Sequence, residues 1–142
     1  MSELDLMCDL LPKVIISTIC GIIIGIEREI NKKVAGIRTH VLISVGVTLF
    51  TSIVFVLSKE YFNLDPTRII GQIITGIGFL GGGVIFKTSD NVVGVTSAAF
   101  IWVMSSIGVI IGLGFLITPL LLTLGLVFVS ISLRYLERIL KN

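Results

Sequence analysis

The chain has 142 residues, 54% of them hydrophobic and 14% charged, with a mean hydropathy of +1.08 and a formal net charge of +2. A water-soluble domain carries about a quarter charged residues, so the composition excludes one and predicts a chain solvated mainly by lipid. So small a net charge offers no electrostatic footprint for nucleic acid, which is not expected as a partner.

Apolar runs cover residues 10–26, 40–57, 69–86, 92–111 and 115–133. Each is close to the ~20 residues that cross ~30 Å of hydrocarbon. They predict an all-α integral membrane bundle of about five transmembrane helices, forming a single domain over residues 1–142. The acidic Glu3, Asp5 and Asp9 replace the basic start of a cleavable signal peptide. Cys20 lies within the first run and Cys8 at its outer edge, twelve residues before it, a helical rise of ~18 Å, so no intrachain disulfide is expected.

At the end of the first run, Gly21, Gly25 and Glu29 fall four apart on one helix face. A small-residue face leading to a carboxylate predicts that Glu29 points into the bundle. Glu27 lies about 160° around the helix from it, so the two carboxylates do not pair. Arg28 and Arg38 are the expected partners, with Glu29 and the two arginines forming a buried or half-buried polar cluster. Thr39 and His40 complete this polar group. The simpler reading is an ordinary basic loop that orients the protein, with His40 making a hydrogen bond at a helix N-terminus.

Asp65 is a predicted N-cap with Pro66 at the first helical position. Arg68, Gln72 and Thr75 follow at i, i+4 and i+7, a polar stripe entering the third run from the opposite side. It could line a pathway or bind an anion, or simply cap the helix and bond between helices. The same run is dense in glycine. Lipid does not reward glycine, whereas a neighbouring helix does, so this segment is expected to face protein. Gly81, Gly82 and Gly83 are no phosphate loop, because Val84, Ile85 and Phe86 intervene before Lys87 and Thr88.

Residues 89–91 read as a turn. Small residues open the fourth run, and Trp102 lies well inside it. Gly112, Leu113 and Gly114 leave a tight turn before the fifth run, where Pro119 is expected as a kink. Arg134 and Arg138 continue the last helix into water. Glu27, Glu29, Asp65 and Asp90 offer hard oxygen ligands, but Asp65 lies opposite the others and the sequence assigns no metal site. No nucleophile–base set is present, so neither an enzyme nor a cofactor is expected.

Arg28, Lys32, Lys33, Arg38, Lys87, Arg134, Arg138 and Lys141 share one side, against Lys13, Lys59 and Arg68 on the other. The bias predicts an outside N-terminus and a cytoplasmic C-terminus. Glycine faces at Gly21/Gly25, Gly71/Gly78/Gly82 and Gly108/Gly112 exceed what one small bundle needs. The surplus predicts a homo-oligomer, most simply a dimer, with Gly108 and Gly112 as a testable contact.

Residues 25–29, 35–40, 65–68, 72–85 and 96–103, taken together and in order, resemble the MgtC/SapB family of bacterial inner-membrane proteins. The family's usual Gly-Ala-Gly stands here as Gly81-Gly82-Gly83, and Val93 replaces its usual basic residue before the fourth span. The resemblance implies a multi-pass protein linked to magnesium and phosphate homeostasis and to growth in low magnesium. In pathogens it implies survival inside macrophages. It further implies regulation of another membrane protein, such as ATP synthase or a transporter, rather than catalysis. Longer members carry a soluble C-terminal domain, which is not expected here after Asn142. The alternative is a transporter or channel for Mg²⁺ or an anion, with the Arg68–Gln72–Thr75 stripe in its pore.

Overall fold

The computed structural model describes residues 2–61, 63–89 and 91–140. Asp90 and Lys141, both named above, lie outside them.

Five helices form: α1 (Glu3–Ile30), α2 (Ile37–Glu60), α3 (Pro66–Gly83), α4 (Val95–Gly112) and α5 (Ile117–Leu140). The all-α expectation is met. Four of them, α1, α2, α4 and α5, are long and apolar enough to cross a membrane. At 1.5 Å per residue, even the 18 residues of α4 reach about 27 Å. α3 has the same length but is not among the four. Its Arg68, Gln72, Thr75 and many glycines lower its hydropathy.

Large apolar side chains cover the outside: Leu121 is 65% exposed and Phe128 71%. In water such a surface would be an aggregation hazard. In a bilayer it is the lipid-facing side, and the chain is a membrane protein on these grounds.

α4 sits at the centre. It contacts each of the other four helices and contributes Ile101, Met104, Ile107 and Ile111 to the core, with Cys20 and Ile24 of α1 and Ile43 and Val47 of α2. The closest approaches are made by glycine. A Cβ on Gly21 would lie 2.6 Å from the Val41 Cα, and one on Gly25 would strike the Ile37 backbone, so α1 and α2 pack antiparallel. A Cβ on Gly108 would meet the Ser44 carbonyl at 2.9 Å and one on Gly112 the Thr51 Cβ at 2.5 Å, so α4 runs parallel to α2.

Here the structure corrects the sequence reading. Gly108 and Gly112 are spent inside the monomer and are not free for an oligomer contact. A Cβ added to Gly71, Gly76, Gly78, Gly82 or Gly83 would meet nothing within 4 Å, and only Gly81 approaches α4, at Ala98. The segment expected to face protein is therefore mostly open within one chain, and Phe79 is 83% exposed.

The element ends shift for local reasons. α3 stops at Gly83, and residues Phe86–Lys87 (β1) pair antiparallel with Val92–Val93 (β2), so the expected third and fourth spans are each trimmed by a short ribbon. The Thr88 amide and hydroxyl both donate to the Asn91 carbonyl, closing the expected turn. Gly94 then starts α4 at φ +93, with the Val84 carbonyl where a Cβ would be. Gly114, at φ +101, makes the tight turn into α5. Pro119 is the third residue of α5, in the first turn where its missing N–H has no helical partner to lose, rather than well inside the span where a kink was expected. The proline inside a helix is Pro12, in α1. Trp102 faces outward, 53% exposed.

Candidate functional site

The polar cluster forms where α1 ends, α4 begins and α5 ends, but around Glu27 rather than Glu29. Glu27 is 7% exposed and Arg28 1%. The Glu27 carboxylate takes hydrogen bonds from Arg28 Nε, Arg134 Nη2, Asn31 Nδ2 at 3.1 Å and Ser130 Oγ at 3.3 Å. Arg28 Nη2 also donates to Ser130 Oγ at 3.0 Å, and Arg134 Nη1 donates to Asn31 Oδ1. The Phe100 ring of α4 lies 3.9 Å from the Arg28 guanidinium carbon, a cation–π contact. One carboxylate thus bridges two guanidiniums from two helices, the arrangement that makes buried charge tolerable at membrane depth.

Glu29 is exposed, and among the described residues no arginine pairs with it. It does continue the Gly21–Gly25 face toward α2, as its spacing implied. At the helix end, however, that face opens to the surface, and the carboxylate accepts the Ile37 amide at 3.0 Å. It thereby satisfies one of the free N–H groups at the start of α2. Its neighbour Gly36 cannot carry a Cβ without striking that carboxylate. Arg38 is exposed and forms no ion pair among the described residues. The expected Glu29–Arg28–Arg38 cluster is therefore replaced by Glu27–Arg28–Arg134. The reading failed because a glycine face marks a helix contact, and at Glu29 that contact has reached the exposed start of α2.

His40 is fully buried, with Nδ1 2.8 Å from the Gly36 carbonyl, the expected helix N-terminal bond. Below it runs a seam that sequence reading missed: Ser44, Thr48, Thr51 and Ser52 of α2, all 0% exposed. Thr48 Oγ1 donates to the Gly108 carbonyl at 3.1 Å and Ser52 Oγ to the Gly112 carbonyl at 3.2 Å. Their three- and four-residue spacing was the available signal. Asn31 and Ser130 gave no signal, since only the fold brings residues about a hundred positions apart together.

The second polar group stands apart, at the other end of the bundle. Asp65 caps α3, accepting from the Thr67 amide at 2.9 Å and its hydroxyl at 2.7 Å. These bonds, with a smaller contribution from the nearby Arg68 charge, hold the Asp65 carboxyl below its ordinary pKa. Arg68, Gln72 and Thr75 are exposed, and Thr75 Oγ1 donates back to the Gly71 carbonyl at 3.0 Å. Asp65, Arg68 and Gln72 border an open cleft of about 510 Å³ with Tyr61. Thr39 is half-buried and joins neither group. Among the described residues, no three His, Cys, Asp or Glu side chains converge as metal ligands would.

Comparison with known proteins places these features in a family. The sequence profile of the MgtC family matches residues 14–139. A protein of Escherichia coli (strain K12) named "Putative magnesium transporter YhiD" is 48% identical over 100 residues, covering 67% of this chain and 46% of that protein. "Protein MgtC" of Brucella abortus (strain 2308) is 37% identical over 121 residues, covering 85% of this chain and 50% of the relative. An uncharacterized protein of Haemophilus influenzae is 36% identical over 128 residues. The chain spans about half the length of the curated relatives it matches. No solved structure matches it.

Proposed function

Because the chain belongs to the MgtC family, we propose that it is a non-enzymatic bacterial inner-membrane protein of magnesium homeostasis that regulates another membrane protein by helix contact. The observation that carries this reading is the open glycine face of α3: Gly71, Gly78 and Gly82 fall on one side of the helix, and a Cβ on any of them, or on Gly76 and Gly83 further round, would meet nothing within 4 Å among the described residues. Glycine on a lipid-facing helix gains nothing, and it weakens the helix by roughly 1 kcal/mol relative to alanine. A second helix laid against it gains close packing. In this reading α3 is the contact helix, and the first occupant is a second copy of the chain in a two-fold dimer. The regulated partner is of the class the family resemblance implies, an ATP synthase or a transporter. The expected orientation, with the N-terminus outside and the C-terminus cytoplasmic, puts the Glu27–Arg28–Arg134 cluster on the cytoplasmic side.

A transporter is the second reading. The name of the Escherichia coli relative favours it, as does the cleft bordered by Arg68 and Gln72. Purified protein in liposomes loaded with a magnesium-sensitive dye separates the two. The regulator reading expects Mg²⁺ entry no faster than in empty liposomes. Robust entry that is abolished by Gln72→Leu overturns it.

A further inference from the structure

Arg28 is the most buried charge in the described chain, yet its Nη1 has no hydrogen-bond partner. Its side chain lines a cleft of about 340 Å³ between the start of α4 and the end of α5. Lys33, Arg134, Thr96 and Ser130 line the same cleft. The acids facing these three cations are Glu27, already shared by both arginines, and Glu137 at the exposed rim. The charges do not balance, and a positive charge is left over beside an unpaired buried guanidinium N–H. A buried donor without a partner costs about 1–3 kcal/mol, more when charged, so the site is incomplete as it stands. Leu126, Val129 and Leu133, on the same helix as Ser130 and Arg134, add an apolar wall.

We propose that this cleft is an anion site for a phosphate group, held by Arg28 and Lys33 with Arg134 and the Thr96 hydroxyl beside them. Planar guanidinium matches phosphate oxygens, the phosphate would take the N–H that Glu27 cannot reach, and Lys33 supplies a mobile second charge. The phosphate can belong to a lipid headgroup, whose chain the apolar wall would accept, or to free inorganic phosphate. The site goes beyond the regulatory reading and stands on different residues from the α3 face, so either can fail alone.

The test uses the full chain, delipidated in dodecyl maltoside micelles, which carry no phosphate. Its thermal unfolding midpoint is followed during titration with inorganic phosphate, with short-chain phosphatidylglycerol, and with sodium chloride at matched ionic strength. A ligand that binds only the folded state raises that midpoint. The expected result is a saturable rise with phosphate or with the lipid, beyond that with chloride, and about tenfold weaker half-saturation in Lys33→Gln and Arg28→Lys. A rise with phosphate identifies the free anion, and a rise with the lipid alone identifies the headgroup. If Arg28→Lys does not fold, Lys33→Gln decides, because Lys33 is exposed and its side chain makes no ion pair among the described residues. No rise beyond chloride, or a rise unchanged in Lys33→Gln, overturns the site.

Discussion

Glu27 and Glu29 are two residues apart and have different work to do. Glu27 holds Arg28 and Arg134 in the interior, whereas Glu29 lies at the surface and caps α2. Breaking a buried pair by removing one partner costs about 3–5 kcal/mol. Glu27→Ala should therefore lower unfolding stability in detergent by that order. Glu29→Gln, which keeps an oxygen for the Ile37 amide, should cost less than about 1 kcal/mol. Equal effects would contradict the placement of the cluster. Asp65 is sensitive to pH in a definite direction. Its folded pKa is lowered, so its cap favours the folded state above the unfolded Asp pKa and is lost as pH falls through the lowered folded value. An NMR titration of the Thr67 amide should show its transition below the usual Asp range, and a transition at or above that range would contradict the cap. The cap itself was legible in the Asp65–Pro66 pair. The choice of Glu27 over Glu29 was not, because helical spacing gives relative directions but not where a neighbouring helix ends.

At the scale of elements, two kinds of glycine face coexist. On α4, Gly108 and Gly112 let α2 approach to backbone contact, and α2 answers with the Thr48 and Ser52 hydroxyls. Gly112→Leu should cost at least the ~1–3 kcal/mol typical of an overpacked core. On α3, Gly78→Ala meets open space and should stabilise the isolated monomer by up to about 1 kcal/mol. Thermal unfolding of the two variants in detergent checks both signs, and loss of stability in Gly78→Ala would mean that α3 is packed in the monomer. Composition and run length made the helices legible and placed their ends to within several residues. The glycine count marked close contacts somewhere, and only the fold shows which are filled. The short ribbon at Phe86–Lys87 and Val92–Val93 was hidden inside apolar runs that read as membrane spans.

For the whole molecule, α1, α2, α4 and α5 form a lipid-facing body around a charged cluster, while α3 lies on α4 through Gly81 with its other glycines open. The central claim is that this outward face is where another helix binds, a second copy first. The direct measurement is oxidative cross-linking in the native bilayer of single-cysteine variants, with Cys8 and Cys20 replaced by serine. The account predicts a covalent dimer with Gly78→Cys or Gly82→Cys and none with Gly108→Cys. Absence of a dimer at both α3 positions, at every protein density in the membrane, would contradict it, as would a dimer formed through Gly108→Cys alone.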